Sequence, residues 1–224
     1  MREPIAFRGV STDLDLVGRL RADIVNGAFS PGERLKFAPL SERYSAGFGT
    51  LREALSQLVL EGFATQEVNK GFAVAPVSCK ELNEIVSHYI ELEQRALMSA
   101  IATGDDNWEA NIVAAHHQLQ AIEKRAWEER VARHSEWVVR HRAFHAALVA
   151  ACSDTWLLRL RTLMFDQLDR YRFLTKMAPK GKRASRSNEH KKIMKAVIER
   201  DASNAVEFLD VHIRGTADKA MLLL

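Results

Sequence analysis

The chain has 224 residues, enough for one large domain or two small ones. Its 47% hydrophobic and 27% charged residues, with only 11 Gly and 5 Pro, exclude collagenous, low-complexity and mostly disordered classes. The net charge of +3 is silent about partners: residues 1–78 carry nine Lys or Arg against nine Asp or Glu, and the remainder 23 against 20. No apolar run reaches membrane-spanning length, and Met1-Arg2-Glu3-Pro4 leads into no signal-peptide core, so neither membrane insertion nor secretion is expected. Cys79 and Cys152 make no disulfide framework, and the expected location is the cytoplasm.

In chain order, a first helix is expected from Ser11 or Thr12, with Leu16, Val17, Leu20 and Ile24 on one face and Gly27 at its end. Pro31-Gly32 marks a turn. A short helix from about Phe37 to Tyr44 and a longer one from about Gly49 to Glu61 follow, with a tight turn expected at Gly47 and Gly49. Phe63 to Glu67 and Gly71 to Ala75, joined by Val68-Asn69-Lys70, read as a β-hairpin. Beyond Pro76 the pattern is helical. Ser78-x-x-Glu81 is a capping box opening a helix to about Ala102, with Leu82, Ile85, Val86, Tyr89, Leu92 and Ala96 on its buried face. Breaks at Thr103-Gly104-Asp105, near Glu129, at Ser153-Asp154, at Pro179 to Ser185 and at Asp201 predict six helices of about 16 to 25 residues in an antiparallel bundle. The fold expected is therefore mainly α. A winged helix-turn-helix with a small hairpin wing occupies residues 1–77, and an all-α domain residues 78–224.

Two short helices, a glycine-containing turn and a hairpin are the parts of a DNA-reading module whose second helix enters the major groove. In that setting Arg52 can reach a phosphate or a guanine edge, Thr50 can donate to a phosphate, and the helix N-terminus favours an anion. Lys70 and Gly71 at the hairpin tip can enter an adjacent minor groove, and Lys36 and Arg43 can add phosphate contacts. The basic stretch Lys176 to Lys195 holds eight Lys or Arg and one Glu, and reads as a solvated face rather than a second DNA surface.

All eight histidines lie beyond residue 78. His141 and His145, four apart, share an inward stripe with Val138, Leu148 and Cys152; His190 lies on that of Ile193, Met194 and Val197, and His212 on that of Leu209 and Ile213. His190 precedes the break at Asp201 by 11 residues and His212 follows it by 11, so in an antiparallel pair both lie about 16 Å from the turn. A His-x-x-x-His pair plus one His from each of two helices suits Zn, Ni or a similar divalent ion. His116 also points inward and reads as a pocket residue. His117 should lie off the buried face, while His88 and His134 read as surface or cap residues. An enzyme is not expected, since the chain has no paired Glu-x-x-His motifs and no His-Glu-x-x-His.

Residues 12–76 carry Gly27-x-x-x-Pro31-Gly32-x-x-Leu35, Leu40-x-x-x-Tyr44, Thr50-Leu51-Arg52-Glu53-Ala54-Leu55-x-x-Leu58, Glu61-Gly62-Phe63 and Gly71-Phe72-x-Val74. In these the chain resembles the GntR family of bacterial transcription regulators. Where that family commonly has Ser or Thr followed by Arg, this chain has Gly47 and Phe48, so one base-reading arginine is missing. Phe144-His145, Glu189-His190 and His212-Ile213 resemble the metal-site segments of the family's FadR-type helical (FCD) domains, with His141 where those have Asp. Tyr89-x-x-Leu92-Glu93 stands where they often have an arginine that binds a carboxylate effector. His116-His117-x-Leu119 and Asp169-Arg170-Tyr171-Arg172 look like the carbon-starvation and glutarate-responsive repressors of this branch. The resemblance implies a homodimeric regulator of operator DNA, expected to repress. It also implies a bound divalent metal and a small carboxylate effector near Tyr89, His116, Arg170 and Arg172.

Overall fold

The computed structural model describes residues 16–176 and 187–224, so the expected start at Ser11 or Thr12, the break at Pro179 to Ser185 and much of the basic stretch lie outside the described residues. Two compact units divide the chain, one ending at Pro76 and the other beginning at Val77.

The first unit contains α1 (Leu16–Val25), α2 (Phe37–Tyr44), α3 (Phe48–Leu60) and the antiparallel strands β1 (Ala64–Glu67) and β2 (Gly71–Val74). Leu20 and Ile24 of α1, Leu40 and Tyr44 of α2, and Leu51, Leu55 and Leu58 of α3 close one core with Phe63, Phe72 and Val74. Each of these large side chains contributes roughly 1.5–3 kcal/mol when fully buried. The turn between α2 and α3 differs from expectation. Its left-handed residue is Ser45 (φ 53°), Gly47 caps α3 in an extended conformation, and Gly49 is already inside the helix. The Ser41 hydroxyl holds the turn closed by donating to the Ala46 carbonyl at 2.7 Å. Asn69 and Gly71 both have positive φ, the backbone state a three-residue hairpin connection requires. Residues after the Pro31-Gly32 turn also pair with the outer edge of β2, Leu35 donating to Phe72 O and accepting its register from the Arg34–Ala73 bridge. That pairing covers an otherwise open strand edge.

The second unit is helical: α4 (Cys79–Thr103), α5 (Asp106–Glu123), α6 (Trp127–Ala132), α7 (His134–Leu148), α8 (Thr155–Lys176), α9 (Ser187–Ile198) and α10 (Ala202–Met221). Six of these correspond to the expected helices. The break expected near Glu129 is instead the six-residue α6, because Glu129 has no helix-breaking property and the helical pattern is interrupted on either side of it, at 124–126 and at Arg133. Helix α9 has 12 residues and α7 has 15, both shorter than expected.

Capping fixes the starts of the long helices. The side chain of Asp105 accepts from Trp108 N at 2.8 Å, and that of Asp201 from Asn204 N at 3.0 Å. Ser78 accepts from Glu81 N at 3.1 Å, but Glu81 does not complete the box. Its carboxylate accepts from the Tyr171 hydroxyl and from Arg170 at 3.1 Å, while Tyr171 accepts from Ser78 N at 3.3 Å. Gly104 is required sterically, since a Cβ there would lie 2.0 Å from the buried Trp108 ring. The C-terminal Leu222, Leu223 and Leu224 are exposed.

Candidate metal centre and nucleic-acid interface

Helices α7, α9 and α10 each bring buried histidines to one point in the helical unit. His141, His145, His190 and His212 are all at most 1% exposed, and each offers a ring nitrogen within 4.8 Å of those of the other three. The shared depth expected for His190 and His212 is observed: their ring centroids are 4.6 Å apart. Nε2 of His141 and Nε2 of His145 are 3.1 Å apart. Stacking of Trp137 on His141 at 4.5 Å and the edge-on Phe144 ring 5.3 Å from His190 wall the cluster with aromatic surface.

Protonation of two of the four rings is suppressed. His141 and His145 are pushed well below the ordinary histidine range, first by burial and then by the neighbouring imidazoles and the positive charge of Arg172. The rings are thus kept in the neutral form that donates a lone pair to a metal. A carboxylate sets the tautomer of His212, and a second lies beside His190. Nδ1 of His212 lies 2.8 Å from Glu189, and Nδ1 of His190 lies 3.0 Å from Glu123, which also accepts from the Trp137 indole at 3.4 Å. A proton on Nδ1 of His212 leaves its Nε2 lone pair facing the cluster. Neither ring nitrogen of the buried His190 has a hydrogen-bond partner, a state that costs about 1–3 kcal/mol per group unless something at the centre satisfies it. The donor set fits a divalent ion that accepts nitrogen ligands.

Several of these groups escaped the sequence reading. Glu123 carries no motif, and Glu93, fully buried, was seen only as part of a sequence pattern. Arg161 of α8 makes a two-pronged contact with Glu93, including 2.9 Å from Nη2 to Oε1, and also donates to His145 O at 3.2 Å. Its signal was weak, an arginine among helical surface residues. Glu93 in turn lies 3.9 Å from Nδ1 of His145. Arg142, Arg161 and Arg172 gather on the Phe165 ring at 5.0, 5.3 and 4.5 Å.

The four residues expected around an effector are not brought together equally. Tyr89 is fully buried, with its ring 5.8 Å from Phe165, and burial followed by the Glu93 charge pushes its hydroxyl pKa up. Arg172 stacks on Phe165 and donates to Asp169, close enough to the cluster to depress His141 and His145. His116 is buried outside the group of four, its ring 5.7 Å from Phe144. Arg170 is engaged by Glu81 at the start of α4, where it helps to fix that helix. His117 and His88 are exposed, and His134 begins α7, as expected.

On the first unit, Thr50 and Arg52 are exposed in the opening turns of α3, and Lys36 is exposed at the cap of α2. The Arg52 guanidinium lies 5.7 Å over the Phe37 ring, which restricts it to the α2 side of the helix. Arg43 is committed elsewhere: it donates to Asp23 at 2.7 Å and lies 5.1 Å over Phe29. Lys70 pairs with Glu67 at 2.7 Å on the exposed hairpin, and Arg34 donates to the Lys70 carbonyl.

Residues 12–74 match the pattern of the bacterial regulatory proteins of the gntR family, and residues 84–215 match the FCD domain. The chain belongs to the gntR family of regulators. Over 205 residues, covering 90% of this chain and 92% of the relative, it is 38% identical to the HTH-type transcriptional repressor GlaR of Escherichia coli K12. It is 36% identical to the HTH-type transcriptional regulator BphR of Paraburkholderia xenovorans LB400, over 88% of this chain and 80% of BphR. The solved structure of E. coli McbR/YncC shares the fold, with a TM-score of 0.78 at 18% identity over 92% of this chain and 95% of that one. As a gntR-family regulator with an FCD domain, the protein is not an enzyme. In the described residues no helix is long and apolar enough to cross a membrane.

Proposed function

We propose that this regulator is a cytoplasmic, homodimeric repressor. Its first unit binds operator DNA, and its helical unit holds a divalent ion and a small carboxylate effector. The observation that carries the reading is the convergence of four buried imidazoles, two with a carboxylate beside Nδ1. His141, His145, His190 and His212 would hold Zn or Ni, the metal supplying a Lewis-acidic centre at which an effector carboxylate can bind. Arg172 is the arginine best placed to receive the effector's other end, because it is buried and its charge is felt at the cluster. Arg170 is a weaker candidate, since Glu81 already balances it. Repression is inferred from similarity to GlaR, which is named a repressor.

Dimer formation has a candidate surface. Trp156, Leu160 and Leu163 are exposed at i, i+4 and i+7 on α8, an apolar stripe that a second copy would cover. The Lys36, Thr50, Arg52, Lys70 and Gly71 positions of two first units would then meet two half-sites. Effector binding would change operator affinity through its different affinity for the two states of the dimer.

The test is metal analysis of purified protein alongside operator binding with short dicarboxylates, glutarate among them. About one divalent ion per chain, and an operator affinity that one dicarboxylate alters, is the expected result. Metal-free protein that takes up neither Zn nor Ni would overturn the metal centre. Failure to bind its own promoter above random DNA would overturn the DNA-reading assignment.

A further inference from the structure

The N-terminus of α3 is unusual for a helix that meets DNA. Its first residue is Phe48, whose side chain is 59% exposed, while Gly47 before it and Gly49 after it carry no side chains. A Cβ at either glycine would meet nothing within 4 Å, so the phenylalanine stands alone on an open surface. It is nonetheless held in place. The Phe48 ring is 5.7 Å from Phe37, which is half-buried and in turn packs edge-on against the buried Phe72 of β2 at 6.1 Å. A chain of three rings in contact therefore runs from the core to the exposed tip. Arg52, one turn further along α3, lies over the middle ring.

An exposed aromatic ring is normally unfavourable, and here the packing of Phe37 keeps it from folding back into the core. The first residues of a recognition helix are those that face base edges in the major groove. A phenylalanine there can neither donate to a purine nor accept from a cytosine. What it can do is cover the one apolar group that the major groove displays, the C5-methyl of thymine. We propose that Phe48 is a specificity-determining residue that reads a thymine methyl in each operator half-site. The flanking glycines let the ring approach the base without a competing side chain, and Arg52 reaches a neighbouring base or phosphate from the same edge.

The inference rests on α3 being the DNA-reading helix, and the experiment separates the two. Bound duplexes are selected from a randomised DNA pool with the full-length protein. Each thymine of the selected site is then replaced singly by deoxyuridine, which removes only the methyl group. Wild type is expected to lose affinity at one thymine per half-site by about four-fold, the worth of one buried methyl group. Phe48→Ala is expected to bind thymine and deoxyuridine duplexes equally at that position, with an unchanged thermal midpoint showing that the unit still folds. If every deoxyuridine substitution weakens wild type and Phe48→Ala alike, or none weakens wild type, the methyl-reading role fails while DNA binding stands. If no sequence is enriched, both fail.

Discussion

Nδ1 of His212 lies 2.8 Å from a carboxylate oxygen of Glu189, and this contact fixes which nitrogen of His212 faces the other three histidines. Nδ1 of His190 also lies near a carboxylate, 3.0 Å from Glu123, but without hydrogen-bond geometry. Glu189 accepts the Nδ1 proton of His212 and orients its ring, while Glu123 places a negative charge beside His190. Glu189→Gln and Glu123→Gln should each weaken Zn or Ni binding by about 10- to 100-fold without removing a ligand. Isothermal titration of metal-free protein with either ion measures this. Equal affinity in wild type and both variants would show that the carboxylates do not support ligation.

The neutral state of His141 and His145 predicts a pH dependence for the metal-free protein. Their folded-state pKa values lie well below the ordinary 6.5, through burial first and neighbouring positive groups second. Below pH 6.5 the unfolded chain takes up protons that the folded chain refuses, so stability falls as pH falls through the window between the two values. Above 6.5 both states are neutral at these sites, and their contribution is flat. Urea midpoints of metal-free protein should drop between pH 7 and pH 5, and His141→Gln should reduce that drop. A midpoint independent of pH in both proteins would contradict the assignment.

Arg161 and Glu93 form a buried ion pair, their side chains 6% and 0% exposed. Arg161→Ala leaves a carboxylate unpaired in the core and should cost about 3–5 kcal/mol of folding stability. Replacing both partners by apolar residues of similar volume, Arg161→Met with Glu93→Leu, should recover most of that loss, because neither charge then remains desolvated. Denaturant unfolding of the two variants at neutral pH decides the matter. A double variant as unstable as Arg161→Ala would mean that the hydrogen bond to His145 O matters more than the pair.

Cations on the first unit should separate by what already neutralises them. Arg52→Ala should weaken operator binding by about 1–3 kcal/mol if Arg52 reads a base edge. Lys36→Ala should weaken all sequences alike and lower the salt slope by about one. Arg43 is tied to Asp23, so Arg43→Ala should leave the salt slope unchanged. Electrophoretic shifts across a salt series measure all three, and a reduced slope for Arg43→Ala would show that the Asp23 pair opens on DNA.

Local periodicity accounts for what was legible in the chain. Leucines at helical spacing, glycines at turns and the Ser78, Asp105 and Asp201 caps act within a few residues, so α2, the hairpin, and the starts of α4, α5 and α10 could be located without a fold. The inward stripes also put four histidines on buried faces, and the equal offsets of His190 and His212 from Asp201 brought them to one level. Short-range rules stop there. Nothing within a few residues of Glu129 distinguishes a break from the six-residue α6, and the Ser45 turn depends on Ser41 reaching Ala46.

The sequence by itself determined the two-part plan, the gntR-type residues of the first unit and the identity of the four clustered histidines. Only the tertiary structure decided which partners those side chains meet. It joined Glu123 to His190, Arg161 to Glu93, Arg170 to Glu81 and Arg43 to Asp23, contacts that link residues 20 or more positions apart. The physical reason is that burial and charge pairing depend on distances across packed helices, whereas periodicity reports only the face of a helix on which a residue lies.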